Sequence, residues 1–290
     1  SLSAMITVTI NVTDVNDNAP EITSDNAKSV AENTTAVLTV VATDADATAM
    51  ITYSLSGGTD RSSFSIDAVG GALTFNSAPD FEAKGSVAGN NIYEVEVTAG
   101  DGDNSDTQMI TVTVTDVNEA PVFSSGSFTL TIGEDAATDA NVGAAVAAVD
   151  PDEDGVTYTL TGEDSGDFSI DGNGQITVAS TLDRETTSSY TLTVTATDDD
   201  ATNSLSATAA VTINVTDVND NAPKITSDNA KKVAENTTTV LTVVATDADA
   251  NTTLTYSLSG GSDRSSFSID AGMLRRRSPL RLPITRMMMC

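Results

Sequence analysis

Threonine alternates with valine or isoleucine in three places along the chain: residues 5–12 (MITVTINV), 109–114 (MITVTV) and 211–215 (VTINV). A period of two puts the apolar side chains on one face of an extended segment, so each run predicts a strand covered on one side. Leu192 and Val194 alternate with threonines, and Val95 and Val97 alternate with Glu94 and Glu96. Shorter apolar or alternating runs at 37–42, 51–55, 64–66 and 72–75 are separated by Gly, Asp, Asn and Ser, which favour turns. Helical periodicity is absent. About seven short strands per hundred residues predict an all-β fold of tandem seven-stranded, Greek-key, immunoglobulin-like β-sandwiches.

Each alternating run leads into an acidic segment that stops at proline. DVNDNAP stands at 14–20 and again at 217–223, with DVNEAP at 116–121 between them. The first residues of these segments, Asp14, Asp116 and Asp217, are 102 and 101 positions apart. A period near one hundred predicts tandem modules, each long enough to bury its own core. The boundaries follow: 1–20 as the closing strand and seam of a preceding module, 21–121 and 122–223 as complete modules, 224–271 as a truncated third, and 272–290 as a tail. Residues 22–68 recur at 225–271 with few changes, and then the match stops. The tail holds five of the chain's 13 Lys and Arg and no acid. Methionine has one codon, and residues 287–289 are all Met; shifted by two bases, their coding sequence reads Asp-Asp. A frame-shifted end near Gly272 is therefore expected, leaving the third module without its last strands and poorly stable.

Composition narrows the function. Forty-two acids against 13 bases give a formal net charge of −29, which argues against nucleic acid as a partner. There is no His and no Trp, and the one cysteine is Cys290, so no disulfide can form within the chain. Missing His removes the usual catalytic base and the usual transition-metal ligand, and no nucleophile–base pair can be assembled, so an enzyme is not expected. No run of eighteen apolar residues is present. An alternative reading, an array of carbohydrate-binding modules, would want exposed aromatic platforms, and the chain offers five Tyr and no Trp.

The acids recur in register. Glu32, Glu134 and Glu235 follow the first strand of each module, and the pairs Asp44/Asp46, Asp150/Asp152 and Asp247/Asp249 follow the second. Asp80/Glu82 and Asp183/Glu185 follow the fifth, and Asp101 and Asp198 the sixth. Loops after alternate strands of a sandwich emerge at the same end. The early Glu and the D-x-E of one module, the seam, and the D-x-D and late Asp of the next should then share one small volume. Clustered carboxylates repel each other unless a cation sits among them. Calcium accepts six to eight oxygens in flexible geometry, whereas magnesium is stricter and zinc prefers His or Cys. The hexapeptide DPDEDG at 150–155 begins like an EF-hand loop, but Thr161 stands where that loop needs Glu, and the strand pattern denies flanking helices.

With seam, Glu, D-x-D, D-x-E and late Asp in this order, the chain resembles cadherin repeats, particularly the bacterial cadherin-like kind. The resemblance implies about three calcium ions at each complete junction between adjacent repeats. For the first junction it implies Glu32, Asp80, Glu82, Asn118, Glu119, Asp150, Asp152 and Asp198 as side-chain ligands, with the carbonyls of Val117 and Ala120. For the second it implies Glu134, Asp183, Glu185, Asn219, Asp220, Asp247 and Asp249, with the carbonyls of Val218 and Asn221. The opening seam offers Asn16, Asp17, Asp44, Asp46 and Asp101. Arg184, inside D-R-E, is expected to be a charge partner rather than a ligand. The missing Trp argues against tryptophan-anchored strand exchange. The function implied is calcium-dependent adhesion, with the same protein on another cell or a surface polysaccharide as partner, or a calcium-stiffened spacer. The location implied is extracellular or at the cell surface.

Overall fold

The computed structural model describes residues 3–47 and 49–278. The chain divides into two compact units, Ser1–Glu119 and Ala120–Cys290.

The first unit is a sandwich. One sheet runs in the order Ala27–Ala31, Ser105–Thr115, Ile92–Gly100, Thr52–Gly57; its first pairing is parallel and the others antiparallel. The second sheet runs Ala36–Thr39, Ala72–Phe75, Phe64–Ile66, and a short pair joins Glu21–Ile22 to Ala42–Thr43. The alternation predicted for residues 109–114 holds: Ile110, Val112 and Val114 are buried and the intervening threonines are not. Their row packs with Val30, Val95, Val97, Tyr53 and Leu73. Phe64, Phe75 and Tyr93 supply the aromatic part of the core, with ring centroids 4.5 and 5.1 Å apart along that series.

In the second unit the same plan repeats over Ser127–Gly133, Ser206–Thr216, Ser189–Asp198 and Val156–Thr161, again with one parallel pairing. Val156–Thr161 is a strand, which removes the EF-hand reading of the DPDEDG loop. Phe168–Ile170 pairs with Ile176–Val178 across the core from that sheet.

The third module, inside the same unit, is smaller. It has the pair Lys224–Ile225 with Ala245–Thr246 and one three-stranded sheet, Thr239–Thr242, Met273–Arg276, Phe267–Asp270. Among the described residues it has no counterpart of the four-stranded sheet. Four buried residues, Val243, Leu258, Phe267 and Leu274, make its core, against fifteen in the first module. The fold continues past the boundary set at residue 271. Gly272 adopts φ +79°, as Gly71 (+69°) and Gly174 (+75°) do in the matching hairpins, and in all three a Cβ would collide with a backbone carbonyl. Leu274 then fills the place of Leu73. Arg276 stands opposite Phe267 where Phe75 stands opposite Phe64, and its buried Nε has no partner. The rest of the expected frame-shifted tail, residues 279–290, lies outside the described residues.

The strand expected at 5–12, as the end of a preceding module, finds no pairing among the described residues. Residues 5–12 form no strand, and Met5, Ile6, Val8, Ile10 and Val12 are exposed. An extended segment gains stability only when its backbone groups pair and one face is covered, and among the described residues no neighbouring strand does either.

Two substitutions probe this account. Ile213→Ala removes a fully buried side chain and should lower the unfolding free energy of the second sandwich by about 2–5 kcal/mol in urea titration. Arg276→Phe removes a buried, unsatisfied donor and should stabilise the third module by about 1–3 kcal/mol, read as slower amide exchange around Leu274. Unchanged exchange would mean that Arg276 is not what limits that core.

Candidate metal centres

The early glutamate of each complete module organises its lower end. Glu32 is 1 % exposed, and its two oxygens accept N–H bonds from Phe81 (2.8 Å) and Val117 (2.9 Å). Glu134 repeats this with Arg184 (2.8 Å) and Val218 (2.6 Å). One carboxylate therefore ties the D-x-E loop to the seam and leaves its negative charge where other carboxylates gather. In the first unit Glu32, Glu82 and Asp116 each bring a carboxylate oxygen within 4.8 Å of the others. Glu134, Glu185 and Asp217 do the same in the second unit.

The second junction lies wholly inside the second unit, and there the sequence-predicted convergence is visible. Glu185, Asp220 and Asp249 come from the D-x-E loop of the second module, the seam, and the D-x-D loop of the third, and their oxygens also meet within 4.8 Å. Asn221 holds Asp249 through its backbone N–H (2.9 Å) and its side-chain amide (2.8 Å). At the opening seam Asn18 holds Asp46 by the same two bonds, both 2.8 Å. Those bonds keep the Asp46 carboxyl below the usual carboxylate range, the side-chain amide contributing most. Glu185 and Asp220 are pushed the other way. Desolvation is the main cause for each, followed among the neighbouring charges by Glu134 and Asp249.

The D-x-D loops share another feature. The first Asp of each accepts the N–H of the second: Asp44 from Asp46 (2.8 Å), Asp150 from Asp152 (3.0 Å) and Asp247 from Asp249 (3.1 Å). That leaves Oδ2 of Asp44, Asp150 and Asp247 buried without a hydrogen-bond partner. The same holds for Oδ2 of Asp101, which is half-buried, and for Oδ1 of Asn16. Asn104 and Asp103 donate N–H bonds to the other oxygen of Asp101 and hold its carboxyl low, Asn104 first. Burying an acceptor without a donor costs about 1–3 kcal/mol, more for a charged group, so five such oxygens in predicted ligand positions suit a bound cation. The donor set is all oxygen, as a hard divalent ion requires.

Other predicted residues stand apart from the carboxylate groups. Asp80 and Asp183 close their own turns, accepting the N–H bonds of Ala83 (2.8 Å) and Thr186 (3.0 Å). Both oxygens of Asp198 face the N–H of Leu205. Glu119 accepts the Asn33 amide at 2.7 Å, and Asp17 accepts the Asn18 amide at 3.0 Å. The Val218 carbonyl takes the Asp220 N–H (2.9 Å), while Asn219 is exposed and Val117 and Ala120 flank Asn118 and Glu119 in the first seam. Sequence reasoning passed over Asp116 and Asp217, which opened each seam and served only as markers of the period. The structure also groups Asp154 with Asp150 and Asp152 within 4.8 Å. Arg184 is a charge partner, its Nη1 3.0 Å from Asp217 Oδ1.

Sandwiches in tandem, with carboxylates ranked at each module end and proline-terminated acidic seams, define a class of tandem β-sandwich repeat. Residues 27–115 and 128–216 match the cadherin domain. The chain is 37 % identical over 279 residues to human cadherin EGF LAG seven-pass G-type receptor 2, covering 91 % of this chain and 9 % of that protein. To human protocadherin Fat 1 it is 36 % identical over 268 residues, covering 86 % and 6 %. Among solved structures, mouse cadherin-23 EC22-24 matches with a TM-score of 0.59 and 30 % identity, over 91 % of this chain and 90 % of that one. The chain belongs to the cadherin family. It spans less than a tenth of the length of these curated relatives.

The raised carboxyls give a prediction with a definite sign. Glu185 and Asp220 keep their protons to a higher pH when folded than when unfolded, so the stability they contribute is present at low pH and lost as pH rises through the folded values. Glu185→Gln should therefore raise the melting temperature of the chelator-treated chain at neutral pH. In millimolar calcium it should lower it. Differential scanning calorimetry in both conditions reads the inversion; the same direction in both would show that Glu185 faces no ion.

Proposed function

We propose that this chain is a calcium-binding cadherin array from a larger cell-surface protein, in which calcium joins successive sandwiches into a stiffened unit serving adhesion or spacing. The observation that carries the reading is the set of buried, partnerless oxygens on Asn16, Asp44, Asp101, Asp150 and Asp247, all at positions the sequence assigns as ligands. At the second junction the ligands would be Glu134, Glu185, Asp217, Asp220 and Asp249, with Asp247 completing the set. The ion would supply positive charge to a group of carboxylates whose mutual repulsion otherwise opposes their approach. Protein side chains do the remainder: Glu134 fixes the loop and seam, and Asn221 aims Asp249. Family resemblance puts about three ions at each complete junction, with affinities for extracellular modules on the order of 10⁻⁴–10⁻³ M.

Membership of the cadherin family supports an adhesive rather than an enzymatic role. A carbohydrate-binding array is not supported, because no Tyr or Phe among the described residues is exposed to offer a sugar a flat platform. Homophilic contact with the same protein on another cell is the partner that this reading favours.

Isothermal titration with calcium should show saturable heat in the millimolar range or tighter. Glu134→Gln combined with Asp249→Asn should abolish the component from the second junction and leave far-ultraviolet dichroism unchanged. Small-angle scattering should show a smaller maximum dimension, or a broader distribution of dimensions, once calcium is chelated. A titration without heat, or one that the double variant leaves intact, overturns the calcium reading. Failure of calcium-dependent bead aggregation alone would reject adhesion and leave the spacer role standing.

A further inference from the structure

Residues 122–223 contain eighteen acids and one base, Arg184. One broad surface of that module escapes the charge. Its four-stranded sheet turns eighteen residues away from the core: twelve Thr, three Ser and one each of Ala, Asn and Gly. None of them is charged. The register sets them in rows. Thr159 faces Thr195 and Thr195 faces Thr208, and further along Thr191 faces Thr212 and Thr212 faces Thr129. A preference of threonine for strands does not by itself produce such a face. The matching sheet of the first module turns Glu94 and Glu96 outward, opposite Thr111 and Met109.

We propose that this hydroxyl face is where a second copy of the chain docks, sheet against sheet across a twofold axis. Resting on the homophilic partner favoured above, the contact gives that partner a surface. Chemistry selects the occupant. A hydroxyl both donates and accepts, so a face of hydroxyls complements its own copy. An ionised carboxylate only accepts, and two copies meeting at their acidic module ends would set like charges together with no donor between them. The outer face of the first module would bring its two glutamates against their equals in the same way. On the second module Thr157 donates to the Thr197 carbonyl (3.2 Å) and Thr161 to the Thr193 carbonyl (3.4 Å), while the hydroxyls of Thr197 and Ser206 share a bond of 2.8 Å. Those bonds steady the side chains and leave their oxygens able to accept another. Each threonine also carries a methyl group that gains from being covered. Two sheets of the same twist pack face to face with their strands about 30° apart. Four strands about 4.8 Å apart and about 33 Å long offer roughly 600 Å² per copy, below the ~800 Å² of a standard interface. A single pair is therefore weak, and the contact suits surfaces that present many copies at once.

Sedimentation equilibrium on the full chain in calcium, carried into the millimolar range, tests this. The average mass should rise with concentration, and more steeply as sodium chloride is added, because salt screens the repulsion between acidic copies and spares hydroxyl pairing. Thr195→Glu and Thr195→Lys, both in the middle of the face, should each weaken association about tenfold or more. Mixed together, the two variants should pair with each other more tightly than either does with itself, a recovery that a damaged fold cannot produce. Thr98→Glu, on the outer face of the first module, should associate as the parent does. A parent that stays monomeric, Thr195 variants that associate as the parent does, a mixture without recovery, or an equal loss from Thr98→Glu would each overturn the proposal. Calcium heat is read on the same samples. Heat without association rejects the docking face and leaves the calcium reading standing, whereas association without heat does the reverse.

Discussion

A buried glutamate bonded by two backbone N–H groups is the constraint on which the rest of the structure depends. Glu134 takes Arg184 N–H with one oxygen and Val218 N–H with the other. Those donors sit on segments 34 residues apart, so one side chain fixes the spatial relation of the D-x-E loop to the seam. Glu32 does the same through Phe81 and Val117. Two amide donors fix the carboxylate at the place where oxygens of Glu185 and Asp217, or of Glu82 and Asp116, also gather. The module end is thus built rigid first and acidic second.

The two fully described seams solve the repulsion differently. In the second unit Arg184 reaches Asp217 at 3.0 Å and offsets part of the charge from within the chain. The corresponding loop of the first module carries Phe81, half-buried against the core, so no guanidinium is available there. Asp217 nevertheless keeps company with Glu134 and Glu185, and the Ala250 N–H also reaches its Oδ1 at 3.0 Å. An arginine bonded to one oxygen of a three-carboxylate group lowers the local charge without filling the coordination sphere. Glu185 and Asp220 remain raised beside that arginine, by desolvation first and among the charges by Glu134 and Asp249.

How much of this was legible in the sequence follows from the range of each interaction. The strands at Phe64–Ile66 and Ala72–Phe75 were read to the residue, because an alternating run between turn residues specifies its own ends. The four acidic motifs were legible as a set since their spacing repeats with the module. Two things were not. Asp116 and Asp217 look like any other seam residue until the chain folds back and Glu32 or Glu134 arrives beside them. Nor could spacing show how Asp80 and Asp183 are oriented: each accepts an N–H within its own turn, from Ala83 and Thr186. Spacing announces that an acid is near the junction; it does not say which way the oxygen points.

The closing strands carry the sharpest form of that lesson. The peptide VTINVTDVNDNAP is a buried central strand at 211–223 up to Val215 and an uncovered extended segment at 8–20. Its intrinsic preference is the same in both, so preference alone does not make a strand. The difference is that Val211 and Ile213 have Phe128 and Leu130 on one side and Leu192 and Tyr190 on the other. The third module shows the converse, since AKKVA has the composition of a first strand and, among the described residues, no strand beside it. Leu274 still buries itself there, because its cross-strand neighbours Leu241 and Ile269 come from the three-stranded sheet that does form. Stability in this fold is therefore set sheet by sheet, and a module that has only one of its two sheets keeps its hairpins and loses its edges.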